Sequence, residues 1–130
     1  MRKGILVAGI LVLLLTSSTV MAGDIDGIWI NPNLGLSAAV MVRENGGTVY
    51  AIQASLAQYG EQFDYCVLAG TQEGNTIILQ NMSFCPVDII LIMTLTSPTT
   101  AAVIVDSCAP RLVPFCIFPS GASFTMVKAF

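Results

Sequence analysis

The side chains that could perform chemistry in this chain are its acids and cysteines, because the sequence contains no histidine. Nucleophile systems that rely on an imidazole base therefore cannot form. A pair of carboxylates could still hydrolyse a glycoside. The acids near predicted strand ends are Asp64, Asp88 and Asp106, with Glu61 close to Asp64. Acids at such positions are usually exposed to water, so we predict surface charges, no enzymatic activity and no cofactor.

A cluster of oxygen ligands surrounds Gly27. Its members are Asp24, Asp26, Asn31 and Asn33. The spacing of Asp24, Asp26 and Gly27 resembles the start of a calcium-binding loop, in which carboxylate and amide oxygens hold the ion. No acid follows at the position where such a loop would end. A polar turn is therefore favoured over a metal site.

Trp29 is the only tryptophan of the chain. A tryptophan of this kind can fill a core, where it buries a large area, or it can form a stacking platform for a ligand. Ligand-binding side chains are commonly carried by loops, and Trp29 falls in the middle of a predicted strand. The core interpretation is therefore favoured, with Trp29 kept as the candidate ligand-binding residue.

The first 22 residues have the three parts of a secretory signal peptide. Arg2 and Lys3 give a positive start, residues 4–15 are uninterruptedly apolar, and small residues lead to Ala22. The apolar run of twelve residues is shorter than the ~17–20 needed to span a bilayer, which disfavours a retained anchor. We therefore predict cleavage after Ala22, a single β-domain over residues 23–130, and a secreted or periplasmic location.

Cleavage changes the charge balance. The leader carries two of the five basic residues and none of the eight acids, so the mature domain has a net charge of −5. Its three basic residues are Arg43, Arg111 and Lys128. So few scattered cations cannot form a footprint for phosphate groups, which argues against binding to nucleic acid or to an anionic membrane surface.

All four cysteines, Cys66, Cys85, Cys108 and Cys116, lie in the exported part. An even number of cysteines in an oxidising compartment indicates two disulfides, for which three pairings exist. Cys108 and Cys116 flank a loop that contains two prolines, so we favour this pair, and Cys66 with Cys85 follows. A zinc site is disfavoured, because there is no histidine and no Cys-x-x-Cys motif.

The mature chain shows β-type patterning throughout, with apolar and β-branched stretches separated by Gly, Pro, Asn and Asp. The predicted strands are Gly27–Ile30, Ser37–Glu44, Thr48–Leu56, Phe63–Gly70, Thr76–Ser83, Asp88–Thr96, Thr100–Ser107 and Ala122–Phe130. Their short connections predict an all-β antiparallel meander of about eight strands. Such a meander either closes into a barrel or folds into two packed sheets. Closure removes exposed edges, so a small barrel or barrel-like roll is favoured.

The segment from Asp24 to Pro32 resembles the opening of small secreted bacterial β-domains that begin with Gly-x-Trp-x-(Asp/Asn)-Pro. Those domains have no assigned activity, so the resemblance implies no catalytic residue. The same opening is similar to lipocalin and avidin barrels, which hold small apolar molecules or biotin inside. In lipocalins a basic residue late in the chain packs across the tryptophan, and this resemblance implies that role for Lys128. The polar residues that bind biotin have no counterpart here.

The leading hypothesis is a non-catalytic exported domain that binds a partner or belongs to a surface or envelope assembly. The alternative is a carrier of a small apolar ligand, which requires an open apolar lumen. A membrane-spanning barrel is disfavoured, since most predicted strands are shorter than the ~9–11 residues required and Lys128 would face lipid. The loop 109–115 with Arg111 could serve a protease inhibitor, although a simple stapled connection is favoured.

Overall fold

The chain forms a closed antiparallel β-barrel, described here by a computed structural model that covers residues 25–33, 35–56, 63–82 and 85–130. Each strand is hydrogen-bonded to its neighbours in chain order, which confirms the predicted meander and its closure. The strands are β1 Gly27–Asn31, β2 Gly35–Asn45, β3 Thr48–Leu56, β4 Phe63–Glu73, β5 Thr76–Asn81, β6 Val87–Ser97, β7 Thr100–Pro110 and β8 Ser123–Lys128. The predicted signal peptide, residues 1–22, lies outside the described residues.

The first and last strands close the barrel. Trp29 of β1 pairs with Lys128 of β8, and Ile30 pairs with Val127. Beyond these pairs, the Ile28 N–H donates to the carbonyl oxygen of Phe130 at 3.1 Å, and the Ala129 N–H donates to the carbonyl oxygen of Ile28 at 2.7 Å. Pairing of β1 with β8 leaves neither strand with a free edge there, and the removal of free edges is the reason that a barrel is predicted.

The two ends of the barrel differ in their connections. At the turn end, tight turns join β2 to β3, β4 to β5 and β6 to β7. At the loop end lie the short β1–β2 turn and the longer β3–β4, β5–β6 and β7–β8 connections, the last of which spans residues 111–122. Longer connections leave room for an opening, so the loop end is where access to the interior is expected.

Most strands are longer than the sequence pattern predicts. The strands β2, β4, β6 and β7 have eleven residues each, and β3 has nine. The expectation that most strands are shorter than the ~9–11 residues of a membrane-crossing strand is therefore wrong. Hydrogen-bonded pairing carries β4 and β7 through polar residues that the apolar pattern does not mark, as far as Glu73 and Pro110.

Alternation directs one apolar face of every strand into the barrel. The pattern is clearest in β7, where Ala101, Val103 and Val105 are buried and the residues between them are exposed. In β6 the inward row is Leu91, Met93 and Leu95. The resulting core is continuous around the barrel, so the interior is apolar.

Both predicted disulfides are present. Cys66 is joined to Cys85 with a Cα–Cα distance of 4.4 Å, and Cys108 to Cys116 with a Cα–Cα distance of 6.3 Å. The first ties β4 to the β5–β6 connection, and the second ties the end of β7 to the loop that follows it. Such bonds persist in oxidising, extracytoplasmic compartments.

No helix in the part of the chain covered by the structure is long and apolar enough to cross a membrane.

Candidate ligand-binding site

Trp29 lies in the barrel interior and has no exposed surface. Its indole N–H donates to the carbonyl oxygen of Ile25 at 2.9 Å, which satisfies the one polar atom that the ring buries. Ile25 is itself fully buried below it, at the turn end. The prediction that Trp29 fills the core is confirmed, and its position makes it part of the floor of a cavity.

The cavity occupies the half of the barrel toward the loop end. The side chains around it come from all eight strands and are mainly apolar, among them Val42, Ala51, Leu68, Leu79, Val105 and Met126. The core residues nearest the turn end, such as Ile77 and Leu95, do not line it. The interior is therefore filled on the turn side and hollow on the loop side.

The size of the cavity limits what it can hold. About 690 Å³ lies between the lining side chains when the open mouth is included, but only about 60 Å³ can hold the centre of a water molecule. An apolar cavity that binds benzene measures ~150 Å³, so the enclosed part of this cavity, about 60 Å³, is less than half that size. The enclosed part suits a short alkyl group or one edge of a ring, and the rest of a ring would lie in the open mouth.

Two amide side chains interrupt the apolar lining. Asn31 ends β1, next in the inward row after Trp29, and is 4 % exposed. Gln53 lies on β3 and is half-buried. Val40 of β2 pairs with Trp29 on one side and with Gln53 on the other, so the two amides lie in the same quarter of the wall. No charged side chain of the described residues lines the cavity.

An aromatic pair covers part of the cavity from the β7–β8 connection. Phe118 packs against Phe124 of β8 with ring centroids 4.9 Å apart, and both rings line the cavity. The connection is held to the barrel by the Cys108–Cys116 disulfide and by the Cys108 N–H, which donates to Ser120 Oγ at 3.0 Å. Phe118 is thereby fixed over the lumen by covalent and hydrogen bonds on both sides.

The predicted surface acids do not form a site. Asp88 is exposed and makes an ion pair with Arg111 at 3.5 Å, and Asp106 is exposed on β7. Asp106 is inside the strand rather than near its end, at a bulge where the register with β6 shifts, so that part of the prediction is wrong. Glu61 and the side chain of Asp64 lie outside the described part of the chain.

The oxygen cluster around Gly27 is used for backbone hydrogen bonds. Asp26 Oδ1 accepts from the Glu44 N–H at 2.7 Å, and Asn31 Oδ1 accepts from the Asn33 N–H at 2.9 Å. The first links the start of β1 to the end of β2, and the second shapes the β1–β2 turn. Among the described residues, no group of three or more His, Cys, Asp or Glu side chains could hold a metal ion. Asp24 lies outside the described residues.

Lys128 faces the lumen side at the turn end, directly across from Trp29 in the β1–β8 register. A Cβ atom placed on Gly27 would lie 2.7 Å from Lys128 Cε, so the lysine stem passes close over this glycine. The resemblance to lipocalins implied such a position. Direct packing of the ammonium on the indole ring stays a prediction.

Comparisons with protein-family models, with curated proteins and with solved structures find no match to this chain. The resemblance of its opening to Gly-x-Trp domains therefore stays a prediction.

The loop suggested for a protease inhibitor is tied to the barrel. The backbone N–H groups of Arg111 and Leu112 both donate to the carbonyl oxygen of Pro86, at 3.1 and 2.9 Å. The Arg111 side chain is engaged by Asp88. An inhibitor loop offers its arginine and its backbone to the protease, so this arrangement favours the structural interpretation of the loop.

Two lining residues, Gln53 and Phe118, have no functional assignment from the sequence, because they carry no local motif. A third, Asn31, is assigned there only as an oxygen ligand for a metal. The alternation of β3 indicates that Gln53 shares a face with Ala51, and this polar residue on an apolar face is the one signal that the sequence offered. Phe118 lies in a loop, so no periodicity could place it.

The outer wall also carries exposed apolar side chains. Met41 and Ile52 are paired across β2 and β3, and Ile78, Ile92 and Ile104 form a row across β5, β6 and β7. Met41, Ile78 and Ile104 are each about half exposed. Contiguous apolar patches on a soluble protein commonly mark contact surfaces.

Proposed function

We propose that this protein is an exported, non-catalytic binding domain that holds a compact apolar ligand, or the apolar end of a larger one, inside its barrel. The observation that carries the proposal is the partly open, apolar cavity in the loop half of the barrel. A cavity of this size left empty would cost stability, because its lining side chains lose contacts that a ligand restores.

Two features of the chain support an exported location. The leader has the charge, apolar run and small residues of a signal peptide, and the two disulfides belong to an oxidising compartment. The disulfides also stiffen the loop end of the barrel. A rigid, preformed cavity loses less conformational entropy on binding than a flexible one, which favours affinity for a small ligand.

The proposal excludes large ligands from the interior. The enclosed part of the cavity, about 60 Å³, accommodates a short alkyl chain or one edge of a ring. A longer molecule would extend out of the open mouth. This narrows the lipocalin-like alternative, a carrier of a small apolar ligand, to a binder of one compact apolar group.

The test compares two leucine variants of the disulfide-bonded protein. Ala51 is fully buried and lines the cavity, whereas Ala102 is exposed on the outer wall of β7. Cyclohexane is titrated in and followed by the fluorescence of Trp29, the only tryptophan and a residue of the cavity wall. We expect saturable binding by the native protein and by Ala102→Leu. Ala51→Leu should bind more than about tenfold more weakly, since the three added carbons fill the free space.

Equal binding by the Ala51→Leu and Ala102→Leu variants would show that cyclohexane does not enter the lumen. Absence of saturable binding by the native protein, with its fold verified by circular dichroism, would also refute the proposal. A thermal melt gives an independent measure, because a ligand that binds only the folded state raises the melting temperature with its concentration.

A second candidate function is assembly through the outer wall. The row of Ile78, Ile92 and Ile104 favours it, because Ile78 and Ile104 are exposed, Ile92 between them is partly exposed, and no charge interrupts the row. Sedimentation of the native protein distinguishes the candidates. A self-associating species would support assembly, and a monomer that binds cyclohexane would support the lumen.

A further inference from the structure

The amide of Asn31 is the most deeply buried polar side chain of the described residues, and it lines the cavity. Its orientation is set by the β1–β2 turn, in which the Asn33 N–H donates to the side-chain oxygen of Asn31 at 2.9 Å. A backbone N–H can donate only to an oxygen, so the atom in the turn must be Oδ1. The other end of the amide, Nδ2 with its two N–H groups, is therefore the end left for the cavity.

No acceptor among the described residues takes a hydrogen bond from Asn31 Nδ2. Buried amide donors in native proteins are nearly always hydrogen-bonded, so Asn31 Nδ2 calls for an acceptor beyond the described residues. The turn accounts for Oδ1 and for the position of the side chain. The turn does not account for an amide nitrogen at the wall of an otherwise apolar cavity. Leucine has a similar size and would bury no polar group there.

Gln53 supplies a second amide to the same part of the wall. It faces the cavity from β3, two strands from β1, with Val40 between it and Trp29 in the register. Gln53 lies in the same register row as Trp29, and Asn31 lies one inward position nearer the loop end. The two amides thus offer hydrogen-bond donors beside the apolar floor. With no charge among the described lining residues, nothing here would compensate an ionised ligand.

We infer that the ligand is an uncharged apolar molecule with one hydrogen-bond acceptor, such as a ketone, ester or amide, and that Asn31 Nδ2 donates to that acceptor. This inference rests on the proposed function, because it assigns the ligand class of the same cavity. The acceptor lies toward the loop end beside Asn31 and Gln53, and the apolar body of the ligand lies on the floor. A carboxylate or ammonium is rejected because its charge would be desolvated without a partner.

The experiment uses two probes of nearly equal shape, cyclohexanone and methylenecyclohexane, which differ in a carbonyl oxygen and a methylene group. Both are titrated into the disulfide-bonded native protein and followed by Trp29 fluorescence. We expect cyclohexanone to bind about three- to tenfold more tightly than methylenecyclohexane, after correction for their different hydration in water. That factor is the one associated with a single neutral hydrogen bond.

Two variants locate the donor. Asn31→Asp keeps the oxygen that accepts from Asn33 and replaces the amide nitrogen by an acceptor, and Asn31→Leu removes both polar atoms. In each, the preference for cyclohexanone over methylenecyclohexane should disappear. Asn75→Asp is the matched control, because it adds the same charge to an exposed turn at the opposite end of the barrel. It should keep the native preference.

The outcomes separate this inference from the proposed function. If both probes bind the native protein equally and the Asn31 variants change neither affinity, the cavity binds apolar ligands but the inference is wrong. A water that accepts the hydrogen bond from the Asn31 amide would give this result. If neither probe binds the folded native protein, the proposed function and the inference both fail. Because the two probes are compared on the native protein, the inference can be refuted even where a variant folds poorly.

Discussion

Replacing Gly70 by alanine should destabilise the barrel strongly, although it adds a single methyl group. Gly70 lies within β4, paired with Val49 on β3 and with Leu79 on β5. A Cβ atom built on it would overlap the carbonyl oxygen of Ile78 and would lie 2.7 Å from the carbonyl carbon of that residue and 3.1 Å from Leu79 Cα. All three atoms belong to the backbone of β5, so no side chain can move aside to make room.

The expected loss of stability comes from a local separation of strands β4 and β5. The overlap is with a backbone carbonyl oxygen, so no side-chain rotation can relieve it. Overpacking costs about 1–3 kcal/mol, and a weakened ladder hydrogen bond adds about 1 kcal/mol, so we expect about 3 kcal/mol in the free energy of unfolding. For a domain of this size, that lowers the melting temperature by roughly 12–24 °C.

Thermal unfolding of the disulfide-bonded protein, followed by far-ultraviolet circular dichroism, measures this effect. Gly74→Ala is the control, because Gly74 has a positive φ of 61° and no atom within 4 Å of the added Cβ. Its cost is that of the left-handed backbone alone, about 1 kcal/mol. If Gly70→Ala melts within a few degrees of Gly74→Ala, β4 and β5 do not approach each other as closely as described, and the packing explanation is refuted.

Two further predictions concern closure and crosslinking. Lys128→Ala should lower the melting temperature by a few degrees and shift the fluorescence of Trp29, because a cation near an indole face contributes about 0.5–2 kcal/mol. An unchanged spectrum would mean that Lys128 does not contact the ring. Removing the Cys66–Cys85 bond by a double alanine substitution should cost about 3 kcal/mol, against about 2.5 kcal/mol for Cys108–Cys116, since the closed segments span 19 and 8 residues. Urea unfolding measures the free energy of unfolding of both double variants. A larger decrease for the Cys108–Cys116 variant would contradict the explanation of the stabilisation by chain entropy.

The strand pattern was readable from the sequence because its signals are local. Alternation in β7 and β8 and the Gly-containing turns after Asn45 and Glu73 each depend on a few neighbouring residues. The disulfide pairing was also readable, because Cys108 and Cys116 flank a loop with two prolines and the two remaining cysteines then pair. Strand ends were less accurate, since pairing with a neighbour extends a strand past its apolar residues.

The candidate site was only partly readable. Trp29 could be assigned to the interior from its place in a strand, and the sequence identified Asn31 as polar but attached it to a metal hypothesis. That Asn31 turns its side-chain oxygen to Asn33 depends on one hydrogen bond in the folded turn, and the inference about its nitrogen follows from this bond. Phe118 reaches the lumen only because its loop is held down near Ser120 and Cys108. Neither contact has a sequence signature.

By itself, the sequence determined an all-β domain with two disulfides, an apolar inner face and no imidazole for catalysis. These properties follow from residue type and from a period of two, and both act over a few residues. Only the tertiary structure decided that the turn half is filled and the loop half hollow, that Gly70 lets two backbones meet, and that the buried side chain of Asn31 lines the void. The reason is physical: the size of a lumen depends on the register and tilt of eight strands at once, and each of these is set by partners distant in the chain.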